Sequence, residues 1–263
     1  MWEFYVLAEL SRRLDSTNAV RVISPLAFYE YADRSALLTP FGAQGTLQDA
    51  INVHLKGGKK MEEPLVLYYA IEVARTVQAI HRAGVIHCDL KPDNWLVKSG
   101  DADEAWDHWQ RGGQLGAGWD GKGLTLIDFG MAIDTTLYPV GTVYGGDCKT
   151  SKFSCPHMED GLTWTWEADL YAMAGVFHCM LFGEYMTVGP SEDGSIGPGG
   201  RPVLRPRTPF KRYWNVSLWE WVFDQLLNPG PFFLFVIWNS GKSGNQKGEG
   251  VLPVLFLNFA CVV

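Results

Sequence analysis

The sequence predicts an α+β fold: a mostly helical C-terminal body behind a small N-terminal part of one helix and two strands. Three observations carry that prediction. A long amphipathic helix opens at Glu62-Glu63-Pro64 and turns a stripe of Leu67, Ile71, Ala74, Val77 and Ile80 inward. A second stretch, Glu167–Phe182, is apolar nearly all round, which marks a buried central helix. Between them lie only short strand-like runs, at residues 85–86, 95–97 and 124–127.

Each element has a local reason. Residues 2–14 read as a helix because Phe4, Leu7, Leu10 and Leu14 recur at helical spacing. Two strand-like runs follow, at residues 20–31 and 36–39. Pro40-Phe41-Gly42-Ala43-Gln44-Gly45 is a turn-rich connector. Thr46 can cap a short helix reaching Ile51, with Asp49 in its first turn. Lys56-Gly57-Gly58-Lys59-Lys60 is a solvated loop. In the long helix, Pro64 suits the first helical position and the two acids suit the positive end of the dipole. Gly84 stops it. Residues 98–123, rich in Gly and Asp, form an exposed insertion whose Trp106, Trp109 and Trp119 either dock a partner or lie unstructured. Residues 191–207 are a Pro/Gly-rich loop. Val216–Leu227 is a further helix with Leu218, Trp221, Val222 and Leu226 inward.

After Asn228 the character changes: no clear period, Glu249 the only acid, and two naked apolar runs. A folded domain rarely exposes such runs. Two readings stay open, a segment foreign to the fold such as intron read-through, or a hydrophobic element that packs on the domain. The expected boundaries are a domain over residues 1–228, divided at 42/43 into a small and a large lobe, and a tail over 229–263.

Composition narrows the function classes. The chain has 263 residues, 47% of them apolar and 19% charged, which excludes wholesale disorder. Its net charge of −7 suits neither non-specific nucleic-acid binding nor a basic tail. Five cysteines, Cys88, Cys148, Cys155, Cys179 and Cys261, include no CxxC, so a disulfide framework or zinc site is not expected and a reducing compartment fits. No signal peptide opens the chain. The apolar runs fall short of the roughly 20 residues a membrane span needs. The expectation is a soluble intracellular protein.

The chemistry lies in two motifs. His87-Cys88-Asp89-Leu90-Lys91-Pro92-Asp93-Asn94 has the form H-x-D-x-K-x-x-N and follows the long helix. Downstream, a strand delivers Asp128-Phe129-Gly130. Their order and setting resemble the catalytic machinery of a protein kinase. Phosphoryl transfer needs positioning and charge neutralisation. Asp89 stands where the incoming hydroxyl proton is accepted, and Lys91 within reach of the γ-phosphate. Asn94 and Asp128 supply oxygen ligands for Mg²⁺, a hard ion that prefers them. His87 and Phe129 read as packing parts. Asp169 reads as the acid that braces the catalytic-loop backbone. Cys88 stands where most kinases carry an Arg that pairs with a phosphorylated activation loop, which argues against such a switch. His54, His81, His108, His157 and His178 have no metal-ligand spacing.

A closer resemblance rests on Trp2-Glu3-Phe4-Tyr5, Gly45-Thr46-Leu47 with Ala50-Ile51, and Lys91-Pro92-Asp93-Asn94. It extends to Pro139-Val140-Gly141-Thr142, the Cys148–Cys155 segment and Cys179-Met180-Leu181-Phe182-Gly183. Over residues 2–227 the sequence is similar to the kinase domain of the Bub mitotic spindle-checkpoint family, with His157 where other kinases carry the Glu of an Ala-Pro-Glu signature.

The resemblance implies a protein kinase-like fold with a truncated N-lobe, of which only helix C and strands 4 and 5 are present. It implies a serine/threonine kinase using ATP and Mg²⁺ on protein substrates, with checkpoint and kinetochore partners and a nuclear or kinetochore location. It also implies that Glu3 is the helix-C glutamate, that Leu7 stacks under Phe129 and His87, that Thr39 is the gatekeeper, and that the Phe41–Gly42 backbone meets the adenine. The family's glycine-rich loop and ATP-binding lysine would fall before Met1, and the first lysine is Lys56. Weak or absent activity is therefore expected. Two rivals remain, a non-catalytic pseudokinase scaffold and a small-molecule kinase of the choline or aminoglycoside type. Lys91 and Asp169 favour a protein substrate over the latter.

Overall fold

Val6, Leu7 and Leu10 turn α1 (Trp2–Arg13) into the core of the computed structural model, which describes residues 1–98, 122–146, 152–197 and 200–230. The helix stops where Leu14 becomes extended. A short α2 (Ser16–Ala19) follows, its first turn capped by the Asp15 carboxylate accepting from the Asn18 N–H. The strand expected over residues 20–31 shrinks to β1 (Ala27–Glu30). Asp15 nucleates a helical turn ahead of it, and residues 21–23 pair elsewhere: Leu126 N–H donates to Arg21 O at 2.8 Å and Ile23 N–H to Leu126 O at 2.9 Å. β1 pairs antiparallel with β2 (Ser35–Leu38), Ala27 opposite Leu38.

Thr46 and Asp49 cap α3 (Leu47–Lys56) reciprocally, as the sequence predicts. The helix outruns the expected end at Ile51, and Leu55 carries the Leu47–Ile51 spacing on to its last turn. α4 (Glu63–Arg82) ends at Gly84, whose φ of +82° lets the chain reverse into β3 (Val85–Ile86). β3 pairs with β6 (Ile133–Asp134), a strand too short to show any period in the sequence. β4 (Trp95–Lys98) pairs with β5 (Gly123–Leu126), Trp95 opposite Leu126.

After the four-residue α5 (Pro156–Glu159), α6 (Glu167–Phe182) runs through the centre between α4 and α7 (Val216–Leu227). Every α6 residue after Glu167 is buried. At Gly175 the helix backbone is bare: a Cβ there would lie 2.8 Å from the Phe153 ring. In α7, Trp219 rather than Trp221 turns fully inward. Its indole N–H donates to the Glu63 carboxylate at 2.8 Å, giving the buried ring the polar partner it needs. Within the Pro/Gly-rich region, β7 (Val188–Pro190) and β8 (Leu204–Pro206) pair antiparallel.

Among the described residues no helix is long and apolar enough to cross a membrane. Most of the expected insertion with its three tryptophans, and the tail after Gly230, lie outside the described residues.

Candidate active site

The loop between β3 and β4 is held from below by α6. Asp169, in the first turn of that helix, is wholly buried. Its carboxylate accepts from the backbone N–H of His87 and of Cys88, each at 2.8 Å, and from His81 Nε2 at 2.8 Å. Burial by itself would raise its pKa. The hydrogen bonds from His81 and from the His87 amide outweigh that and hold it below the ordinary carboxylate range. The two backbone bonds fix Cys88 at φ +65°, a left-handed conformation that costs a non-glycine residue about 1–3 kcal/mol.

That strained turn presents Asp89. Lys91 Nζ lies 2.6 Å from Asp89 Oδ2, and Asn94 Nδ2 donates to Asp89 O at 2.8 Å and to Oδ2 at 3.2 Å. His87 fixes the loop from its other side. Asp89 N–H donates to Nδ1 at 3.3 Å, so Nε2 carries the proton and donates to Ile127 O at 3.1 Å. This is the neutral ring, and burial pushes its pKa down. The ring meets Phe129 edge-on at 4.7 Å.

The second motif is tied to the first through the backbone, since Ile127 N–H donates to Asn94 O at 3.0 Å. Asp128 follows with φ +62° and an exposed side chain. Phe129 is fully buried, and its N–H donates to Glu3 Oε1 at 3.2 Å, across from α1. Leu7 is fully buried in the same core. No basic group pairs with Glu3 among the described residues.

Asp89, Lys91, Asn94, Asp128, His87, Phe129, Asp169 and Glu3 thus come together. Gly42 stands apart from that cluster, in the connector between β2 and α3. A Cβ there would lie 2.8 Å from the end of the Leu96 side chain, so the connector backbone rests closely on that residue. A cavity of about 650 Å³ opens between this connector, Leu10, Leu14, Val22 and Leu96.

The donor set suits a hard cation that shares its ligands with phosphate. Because Asn94 Nδ2 is committed to Asp89, its amide oxygen is the atom it has to offer a cation, as the exposed Asp128 offers a carboxylate. Among the described residues no group of three His, Cys, Asp or Glu side chains could hold a metal alone. Mg²⁺ is normally bound in this way, through one or two side chains plus phosphate oxygens and water.

The sequence reading missed the contacts that fix α1. Arg13 forms a bidentate ion pair with buried Asp134 at 2.9 and 2.7 Å, and Tyr5 and Trp2 add bonds to Asp134 and Ala132. Only the spacing of Tyr5, Glu9 and Arg13 on one helix face hinted at it. A second buried pair, Arg21–Glu72 at 2.6 Å, was missed as well.

Comparison with known proteins agrees with this geometry. Residues 4–196 match the model of the protein kinase domain. The chain is 35% identical over 236 residues to the spindle assembly checkpoint serine/threonine-protein kinase BUB1 of Saccharomyces cerevisiae, covering 88% of this chain and 22% of that protein. It is 37% identical over 229 residues to the mitotic checkpoint serine/threonine-protein kinase BUB1 of Arabidopsis thaliana, covering 86% and 42%. The chain therefore spans less than half the length of these relatives. Among solved structures, the crystal structure of the BubR1 kinase domain matches with a TM-score of 0.76 and 25% identity, over 99% of this chain and 68% of that one. The motifs, the fold and these similarities agree: the chain belongs to the protein kinase family and, within it, resembles the BUB1 checkpoint serine/threonine kinases.

Proposed function

We propose that this chain is a serine/threonine protein kinase domain that transfers the γ-phosphate of ATP to protein hydroxyls in mitotic spindle-checkpoint signalling. The observation that carries the reading is the joint hold on Asp89 by Lys91 and Asn94, with Asp128 one backbone bond away. Asp89 orients the substrate hydroxyl and accepts its proton. Lys91, 2.6 Å from Asp89 Oδ2, turns to the γ-phosphate and offsets its charge. Asn94 and Asp128 would hold Mg²⁺, which when bound neutralises phosphate charge. The Phe41–Gly42 backbone meets the adenine. Asp169, His87, Phe129, Leu7 and Glu3 support these groups.

The same reading takes residues 1–228 as the kinase domain, places the protein at the nuclear kinetochore, and expects protein partners rather than nucleic acid or membrane. Activity of the chain alone is weak. Glu3 is spent on the Phe129 amide and has no basic partner among the described residues, and one lost preorganised charge contact costs on the order of 10²–10³ in rate. That observation also favours a second reading, a scaffold that binds nucleotide without transferring phosphate.

Radiolabelled transfer from Mg-ATP to casein by the whole chain tests both. The kinase reading expects slow transfer that Asp89→Asn and Asp128→Asn each abolish. Transfer unchanged by either variant would sink it. Nucleotide binding with no transfer would favour the scaffold.

A further inference from the structure

The bonds along α1 fall on one face of the helix, at Trp2, Tyr5, Glu9 and Arg13, three or four residues apart. Trp2, Tyr5 and Arg13 reach the segment just after Asp128-Phe129-Gly130, and Glu9 reaches it through Arg13. Trp2 Nε1 donates to Ala132 O at 2.8 Å, and Tyr5 OH to Asp134 Oδ2 at 3.0 Å. Arg13 donates from Nη1 to Asp134 Oδ1 at 2.9 Å and from Nη2 to Oδ2 at 2.7 Å. The same guanidinium donates to Ala83 O at 3.0 Å, at the end of α4, and Glu9 holds it from behind at 2.8 Å. Thr136 completes the carboxylate through its N–H at 3.1 Å and its hydroxyl at 2.7 Å. Asp134 is fully buried with five donors, and Arg13 is nearly buried. An ion pair so enclosed, with every lone pair occupied, holds its elements in one register, because breaking it strands a charge away from water.

We infer that Arg13 and Asp134 are positioning residues that fasten α1 to the segment behind Asp128. The clamp keeps Glu3 against the Phe129 amide and so sets the direction of Asp128. Helix-C placement is a point at which protein kinases are switched. Here the helix is fastened to the large lobe by its own C-terminal turn. No phosphate is required, and no basic partner for Glu3 is present among the described residues. The consequence for phosphate transfer rests on the kinase reading above; the fastening itself does not.

The test uses the whole chain with Arg13→Ala, Arg13→Lys and Tyr5→Phe. Hydrogen exchange is followed by mass spectrometry in peptides from α1, from residues 127–136 and from α6, together with steady-state transfer from Mg-ATP to casein. Arg13→Ala should speed exchange in α1 and residues 127–136 by at least about tenfold while α6 keeps its protection. Arg13→Lys should restore part of that protection, and Tyr5→Phe should give a smaller loss if Arg13→Ala does not fold. In transfer, kcat should fall about tenfold or more with KM for casein unchanged, the sign of misaimed groups rather than lost binding. Unchanged exchange at α1 in Arg13→Ala, or in Tyr5→Phe where that is the variant that folds, overturns the clamp. Loosened α1 with unchanged kcat overturns the positioning role. A wild-type chain that transfers nothing refutes the kinase reading instead, and the clamp then stands or falls on exchange alone.

Discussion

Asp169 and Asp134 are both wholly buried carboxylates beside the catalytic segments, yet they are satisfied in different ways. Asp169 takes two backbone N–H groups of the loop that bears Asp89, and one histidine nitrogen. Asp134 takes a guanidinium, a phenol and a threonine, the first two from a helix more than a hundred residues away. One braces the shape of a loop; the other braces the position of an element. The contrast teaches that, on the loop's own side, the brace uses peptide N–H groups that any residue but proline supplies. The helix facing it depends on particular side chains, and single substitutions can remove them.

The largest effect should come from breaking the loop brace. Asp169→Ala leaves two amides and His81 unmatched in the core and should cost about 3–5 kcal/mol in urea unfolding. A loss under about 1 kcal/mol would mean that the loop holds its own shape. Asp134→Asn keeps the shape but leaves the Arg13 charge with Glu9 alone, and should cost about 3 kcal/mol by the same measurement.

Acid should separate the two sites further. The Asp134 carboxyl lies at about 2, below its ordinary 3.8: burial opposes its charge, but the bonds from Arg13, Thr136 and Tyr5 outweigh burial. Because the folded value is the lower one, the stabilisation is complete above the ordinary value and is lost as pH falls toward 2. It amounts to about 2 kcal/mol. Unfolding free energies of wild type and Asp134→Asn should therefore converge between about pH 4 and pH 2, and parallel curves would refute the assignment. The smallest effect should be Tyr5→Phe, about 1 kcal/mol for one hydrogen bond, read as a shift in the urea midpoint.

What the sequence made legible follows the same contrast. Asp89, Lys91, Asn94 and Asp128 sit in short motifs whose chemistry fixes their spacing, and Asp169 opens a helix that is apolar on every side. Arg13 and Asp134 are single residues 121 positions apart, of types that mostly lie on surfaces, so nothing local distinguishes them. The same limit explains α7. Trp219 and Trp221 fit the helical pattern almost equally, and the choice was made by Glu63, 156 residues from Trp219. The strand expected over residues 20–31 shortens to Ala27–Glu30 because residues 21–23 pair with Leu126, a partner more than a hundred positions away.

Gly175 shows how much rests on an atom that is missing. The Phe153 ring, near the end of the segment between Asp128 and α5, sits on the naked backbone of α6 at a point where one methyl group would collide with it. The segment that follows Asp128 is thereby seated on the buried central helix. An alanine at that position would alter no charge and touch no catalytic group. It would push the Phe153 ring from its seat and so shift, from inside the core, the segment that carries it.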